Sequence, residues 1–211
     1  MDEQERAWKE ARKNGIGGSD AACILGKNPW KSNLDLWKEK VGLVIPEDIS
    51  DKPAVRYGKE AEAPLRRLFE LDHPEIIVSY DQYGMIANDP DRPWLFATLD
   101  GDLTMGDSRG VLEVKTTEIR RPSDWYKWDN RVPDNYYVQL LHQLLATGYD
   151  FSVLLAQIKW EKNGKPQKTI REYWYFRSEV QADLDYLRPA EDAFWRSVQD
   201  KKQPALILPS I

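Results

Sequence analysis

The chain has 211 residues, and its acids outnumber its bases 35 to 30, for a formal net charge of −5. With 41% hydrophobic and 31% charged residues it can bury a core and reads as soluble, and no apolar run approaches the roughly 20 residues of a membrane helix. A single cysteine and two histidines exclude a disulfide framework and a zinc cluster built on cysteines, and leave little for a histidine metal site.

The acidic, polar start Met1 to Arg6 argues against a secretory signal peptide, so a reducing, intracellular setting is expected. Bulk charge gives no sign of nucleic-acid binding, although a local basic channel on an acidic body remains open. The nine tryptophans suit core or subunit-interface packing. At roughly 150 residues per domain the length favours one enlarged domain. It would span 1–211, with N-terminal helices over 1–42 and a C-terminal helix over 178–200 packed on the core.

In chain order, Asp2 to Lys13 reads as a charged helix stopped by Asn14-Gly15. Ser19 is expected to cap a short helix ending near Gly26, and Ser32 a further helix through Val41, closed by Gly42. Leu43 to Pro53 reads as an irregular loop. Arg56 to Leu71 is helical, with a break or kink expected at Pro64. Glu75 to Ala87, Leu95 to Leu103 and Gly110 to Thr116 read as strands. Asp134 to Thr147 is an amphipathic helix ended by Gly148. Phe151 to Ile158 and Ile170 to Phe176 are strands joined around Asn163-Gly164. Ser178 to about Asp200 closes the chain as a helix, with Ser178 and Gln181 as a capping box. Helices flanking one group of strands predict an α/β (α+β) domain with a central mixed sheet.

The most informative segment is Thr98-Leu99-Asp100-Gly101-Asp102 followed by Leu112-Glu113-Val114-Lys115. A turn centred on Gly106-Asp107 places Asp100 opposite Glu113, with Cβ atoms roughly 4.5–5.5 Å apart. Lys115, two residues on, shares the face of Glu113, while Leu112 and Val114 face the other way. Two carboxylates beside one ammonium suit Mg²⁺ or Mn²⁺ and phosphodiester chemistry. An exposed hairpin with a Glu113–Lys115 or Lys115–Asp102 salt bridge fits the same residues.

Gly15-Ile16-Gly17-Gly18-Ser19-Asp20 leads into a helix start, where free N–H groups can meet a phosphate, and Arg12 lies close enough upstream to clamp it. A plain capped junction between helices is the alternative. No Walker lysine follows, so a nucleotide triphosphatase is not expected. Glu62 offers a third carboxylate, or a solvated helix residue. Tyr136, Gln139 and Gln143 share one helix stripe, opposite Leu140, Leu141, Leu144 and Leu145. Gln139 can reach a phosphate or a metal-bound water, or simply flank the helix. His142 reads as a satisfied structural histidine. Lys115 to Arg131 interleaves Arg120, Arg121, Lys127 and Arg131 with Trp125, Tyr126 and Trp128, as in backbone tracking with base stacking; acids in the same stretch dilute the signal.

Taken together, Gly15-Ile16-Gly17-Gly18-Ser19-Asp20-Ala21-Ala22, Asn28-Pro29-Trp30-Lys31-Ser32, Tyr57-Gly58-Lys59-Glu60-Ala61-Glu62, Leu99-Asp100-Gly101 and Leu112-Glu113-Val114-Lys115 resemble the YqaJ-like viral recombinases. These group with lambda exonuclease and the alkaline nucleases in the PD-(D/E)XK nuclease superfamily. The resemblance runs from about Arg12 to Ala205. It implies a restriction-endonuclease-like core and a metal-dependent exonuclease that degrades one strand of linear duplex DNA from its 5′ end. The remaining 3′ overhang would serve phage-type recombination by strand annealing.

By motif match, Asp100 and Glu113 resemble the metal ligands, joined by the Val114 carbonyl, for one or two Mg²⁺ or Mn²⁺ ions. Lys115 resembles the catalytic lysine, Glu62 the acidic residue of the preceding helix, and Gln139 the glutamine of the helix after the core sheet. Arg12, Ser19 and Thr98 match positions that bind the 5′-terminal or scissile phosphate. The proline often found before the aspartate is absent here. The resemblance also implies a homotrimeric ring, 5′-phosphorylated duplex ends as substrate, a single-strand annealing protein as partner, no membrane, and a cytoplasmic, phage- or prophage-encoded setting. Another nuclease of the superfamily, an endonuclease or a 3′-directed enzyme, remains an alternative. So do a non-catalytic DNA-end-binding module and a structural acidic cluster that happens to bind Ca²⁺; EF-hand spacing is absent.

Overall fold

The computed structural model describes residues 3–208. Its elements are α1 (Glu3–Ala11), a 3₁₀ turn (Arg12–Asn14), α2 (Gly18–Ile24), α3 (Asn33–Lys40), α4 (Pro53–Asp72), β1 (Ile77–Ser79), β2 (Gly101–Met105), β3 (Ser108–Ile119), a second 3₁₀ segment (Pro122–Trp128), α5 (Asp134–Thr147), β4 (Phe151–Lys162), β5 (Lys165–Phe176) and α6 (Gln181–Gln199). The strands form one mixed sheet in the order β1-β2-β3-β4-β5. All neighbours are antiparallel except β3 and β4. A parallel pair needs a long crossover, and here the 3₁₀ segment and α5 supply it.

The crossover explains why β3 reads as a run of buried residues rather than an alternating strand: both of its faces are covered. Leu112 and Val114 pack with Val153 and Leu155 against Leu65 and Phe69 of α4. On the opposite face Leu140 of α5 meets Leu154, Ala156 and Ile158. Glu113 and Lys115 alternate with Leu112 and Val114, so they point towards the α5 side. The β2–β3 register pairs Gly101 with Leu112 and Met105 with Ser108 around Gly106-Asp107, the expected hairpin. Gly106 takes a positive φ of 58° there.

Several expectations need correction. Strand pairing between Glu75 and Ala87 is limited to Ile77–Ser79 and one bridge from Ile86 to Ala97. The chain then leaves the sheet, and Tyr80, Gln82 and Tyr83 wall a cleft instead. Between Leu95 and Leu103 the strand begins only at Gly101. Leu95, Phe96, Ala97 and Leu99 are buried, but single bridges to Ile16 and Ile86 hold that backbone. Helix α4 begins earlier, at Pro53, and runs through Pro64. Pro64 is exposed, so the carbonyl it leaves unbonded meets water, and burial of Leu65 and Phe69 holds the helix on its other side. Ser19 is not the cap of α2: Gly17 is, and the Asp20 carboxylate accepts from its N–H. Ser178 and Gln181 make no capping box; α6 starts at Gln181, whose amide donates to Asp185 instead. Asp2, the start of the first expected helix, lies outside the described residues. No described helix is long and apolar enough to cross a membrane.

Helix α6 is fastened to α5 by an ion pair with no exposure. The His142 Nδ1 lies 2.6 Å from Glu191 Oε1, and its Nε2 2.9 Å from the Phe96 carbonyl oxygen. A carbonyl only accepts, so Nε2 carries a proton, and Nδ1 donates to the carboxylate. Burial opposes the resulting charge, but Glu191 and the Phe96 carbonyl outweigh it and raise the histidine pKa above 6.5. The pair's contribution is therefore complete below about pH 6.5 and is lost as pH rises through the higher folded value. The urea midpoint should fall as pH climbs above neutrality. Glu191→Gln should cost roughly 3–5 kcal/mol and flatten that slope; an unchanged midpoint would show that the pair is not structural.

Candidate active site

One cleft of about 580 Å³ gathers the residues matched to catalytic, metal and phosphate roles: Arg12, Ser19, Glu62, Thr98, Asp100, Glu113, Val114, Lys115 and Gln139. Six elements or junctions supply them. Arg12 comes from the first 3₁₀ turn and Ser19 from the first turn of α2. Glu62 lies on α4. Thr98 and Asp100 sit on the segment entering β2. Glu113, Val114 and Lys115 come from β3, and Gln139 from α5.

Glu113 is the centre of the arrangement. It is 3% exposed and takes hydrogen bonds from three donors. The Gln139 amide donates to Oε1 at 2.6 Å and the Gln143 amide to Oε2 at 2.5 Å. Lys115 Nζ stands 2.5 Å from Oε1. A buried carboxylate needs such compensation, because leaving water without it costs several kcal/mol. Gln139 and Gln143 reach the same carboxylate because they lie one helical turn apart on α5. Gln143 was visible in the sequence only as part of the polar stripe. Its burial beside Leu144 and Leu140 marks it as a residue that a purely polar helix face would not hold.

Asp100 lies just before β2, and its Oδ2 accepts from the Val114 N–H at 2.8 Å. Arg66 of α4 donates to the Asp100 carbonyl, which fixes α4 over this end of the hairpin. Burial, with the Glu113 carboxylate close by, pushes the Asp100 pKa well above the usual carboxylate range. Glu62 is raised for the same two reasons, against the opposing pull of Lys115. For Lys115 burial works to remove the proton, but Glu113 and Asp100 overcome it and hold the pKa above the ordinary lysine value. The lysine is an ammonium facing three acids.

The glycine segment builds the other wall. Ile16 N–H donates to the Trp94 carbonyl and Phe96 N–H to the Ile16 carbonyl, so the loop lies alongside the segment that carries Thr98. A Cβ on Gly18 would lie 3.0 Å from Gln139 Cγ, so a side chain there would press on the glutamine that holds Glu113. Thr98 Oγ1 accepts from Trp8 Nε1 at 3.1 Å, and the Arg12 guanidinium lies over the Trp8 ring, 4.5 Å from its centroid. Lys40 pairs with Asp20 at 2.8 Å, which steadies the start of α2. By contrast, the basic and aromatic stretch after β3 is spent on local pairs: Arg120–Glu118, Arg121–Asp124, Lys127–Asp124 and Arg131–Asp134. Asp102 pairs with Arg109, not Lys115.

The donors available to a cation are all oxygens: the carboxylates of Asp100, Glu113 and Glu62, with the Val114 carbonyl beside them. Among the described residues no group of three His, Cys, Asp or Glu side chains is placed to hold a metal ion. Mg²⁺ does not need such a group, since it keeps several waters and takes one or two carboxylates. The crowding of half-buried acids around one lysine is the condition that a divalent cation would relieve, so the residues fit such an ion. Relief by substitution has a measurable counterpart. Asp100→Asn keeps the acceptor for Val114 N–H and removes a repelling charge. In chelator at neutral pH it should stabilise the fold by on the order of 1 kcal/mol, as relief of site strain commonly does. A lower melting temperature would show that the acids are not in conflict.

The sequence pattern of the YqaJ-like viral recombinase domain matches residues 7–150. The uncharacterized protein YqaJ of Bacillus subtilis is 29% identical over 94% of this chain and 58% of its own length. Protein D345L of African swine fever virus is 27% identical over 65% of this chain and 44% of its own length. The chain thus spans about half the length of these curated relatives. The crystal structure of an alkaline exonuclease from Laribacter hongkongensis, LHK-Exo, superposes with a TM-score of 0.65 at 18% identity, over 93% of this chain and 94% of that one. LHK-Exo in complex with dAMP gives 0.62 at 17% identity, over the same shares of the two chains. At these identities the structural likeness establishes the fold. Matched over more than half of its length, the chain belongs to the YqaJ-like viral recombinase family.

Proposed function

We propose that this chain is a metal-dependent exonuclease that degrades one strand of linear duplex DNA from its 5′ end and leaves a 3′ overhang for recombination by strand annealing. The observation that carries the reading is the convergence of Asp100, Glu113 and Lys115 in one cleft with the phosphate-anchor candidates Arg12, Ser19 and Thr98. Family membership and the fold shared with LHK-Exo, which has also been solved with dAMP, support it.

Asp100, Glu113 and the Val114 carbonyl would hold one or two Mg²⁺ or Mn²⁺ ions. When bound, such a cation polarises a phosphodiester and lowers the pKa of a coordinated water. The remaining work falls to the chain. Gln139 and Gln143 fix the Glu113 carboxylate, so its geometry is set before substrate arrives. Lys115, held as an ammonium, acts as a hydrogen-bond donor to the attacking water and to charge developing on the phosphate. Glu62 stands across the cleft to orient water. Arg12 and the start of α2 at Ser19 would anchor the 5′-phosphate through a guanidinium fork and free backbone N–H groups; Thr98 borders the scissile phosphate. The wider expectations belong to the same reading: one nuclease domain, a homotrimeric ring, a single-strand annealing partner, and a phage- or prophage-encoded protein at work in the cytoplasm. The exposure of Trp30, Leu43 and Ile45, each more than two-thirds open to solvent, leaves apolar surface for such partners.

The test is a Mg²⁺-dependent digest of linear duplex labelled separately at each 5′ and 3′ end, with closed circular duplex alongside. Early release of 5′-terminal nucleotides with the circle spared is expected, and Lys115→Ala should lower the rate by ~10²–10³-fold while duplex binding persists. A cut circle would move the assignment to an endonuclease on the same core. No cleavage with Mg²⁺ or Mn²⁺, despite end binding, would reduce the chain to a binding module.

A further inference from the structure

The β4–β5 hairpin is basic, in a chain whose formal charge is negative. From Lys159 to Arg171 it carries Lys159, Lys162, Lys165, Lys168 and Arg171 against the single acid Glu161. Register makes the pattern costly. Lys162 stands directly across from Lys165, and Lys159 from Lys168. Like charges at opposed positions destabilise a strand pair, and here two such pairs occupy opposite faces of one ribbon. Among the described residues no carboxylate pairs with these four lysines, whereas the cations flanking the preceding 3₁₀ segment nearly all have acid partners. Residues 161–168 are all exposed. A long edge strand such as β5 is often protected by charge. Protection accounts for lysines along an edge, but not for their placement directly opposite one another across the two strands.

The placement of the ribbon relative to the cleft is fixed. Strand β3 ends at Ile119, opposite Trp160; beyond that point β4 and β5 run on as a free two-stranded arm to the turn at Asn163-Gly164. Both turn residues have positive φ, the tight hairpin geometry. The root of the arm is braced against the cleft. Tyr57 of α4 donates its hydroxyl proton to Gln157, and Lys159 Nζ lies 3.5 Å from the centroid of the Tyr57 ring. Gly58 and Lys59, next in the same helix, line the cleft. Lys115 is level with Ala156 of β4. Lys162 is six residues further along, about 20 Å at strand rise. That is roughly six base pairs of B-form duplex at 3.4 Å per pair.

We propose that this arm is a second phosphate-binding surface, which holds the backbone of the duplex about half a helical turn from the reacting phosphate. The inference rests on the nuclease reading above. Its chemistry is electrostatic and indifferent to sequence: flexible ammonium groups on both faces of a narrow ribbon. An arm of this kind keeps the substrate in place while the cleft releases each cleaved nucleotide.

The test is duplex affinity against salt, in chelator so that nothing is cut, for the unaltered protein and for the combined Lys162→Gln, Lys165→Gln, Lys168→Gln variant. A 30-base-pair blunt duplex with a 5′-phosphate serves as probe. Each phosphate contact contributes about 0.9 to the slope of log affinity on log salt. The variant should lose about 2–3 units of slope and at least tenfold in affinity near 0.1 M salt. A control variant, Lys201→Gln with Lys202→Gln, removes two cations next to α6 and should keep the slope. Binding by the unaltered protein with the same slope in the hairpin variant would overturn the arm and leave the nuclease reading intact. A hairpin variant that keeps its slope but sediments as a smaller species would also overturn it, and would make the arm a contact between copies of the chain. An unaltered protein that neither binds nor, with Mg²⁺, cleaves duplex would overturn the nuclease reading and the arm together.

Discussion

A buried carboxylate that must be paid for organises this molecule. Glu113 lies in the middle of the central strand, shielded from water and satisfied by two amides and an ammonium. Those donors arrive only if α5 docks with Gln139 and Gln143 facing β3. Docking in turn requires the parallel β3–α5–β4 crossover, and the absence of a side chain at Gly18 leaves room for Gln139 beside α2. Strand alternation, helix spacing and loop composition are therefore set by one electrostatic requirement. The apolar residues on either side provide the driving force, and Glu113 fixes the arrangement in which they pack.

The same centre is also a source of tension. Asp100 and Glu62 stand close enough to Glu113 for their ionisation to be resisted, and a single lysine answers them. A fold built only for stability would replace one acid with an amide. Retention of all three beside an ammonium is the signature expected where charge will be compensated by something brought to the site. The opposite arrangement is seen between α5 and α6, where one buried histidine and one glutamate neutralise each other and face no cleft. One helix thus serves both buried ionic groups: its His142 holds the scaffold through Glu191, and its Gln139 and Gln143 aim Glu113 of the site.

Much of this was legible in the sequence, for identifiable reasons. The hairpin register followed from a turn centred on Gly106-Asp107, which sets Asp100 beside Glu113 one step beyond the Gly101–Leu112 pair. The end of helix α5 was marked by Gly148, which is left-handed in the structure, and the β4–β5 turn by Asn163-Gly164. Less was legible where tertiary contact overrides local pattern. Residues 75–87 and 95–103 have strand composition, but lone bridges and burial under loops replace a ladder. Pro64 looks like a break until its exposed side is known. Ser178 has the spacing of a cap but lies before a helix that begins three residues later. Gln143 has no sequence signal beyond its stripe, since amide burial is decided by what lies across from it. The basic arm was hidden by the acidic total, because charge summed over a chain says nothing of where register concentrates it.

The most direct test of the central claim is calorimetric titration of Mn²⁺ into the free protein, compared with the Glu113→Gln and Asp100→Asn variants. A saturable site in the unaltered chain, weakened at least tenfold in each variant while the fold is retained, is the expected result. Equal affinity in all three proteins would contradict it, because the carboxylates around which this fold is arranged would then hold no metal.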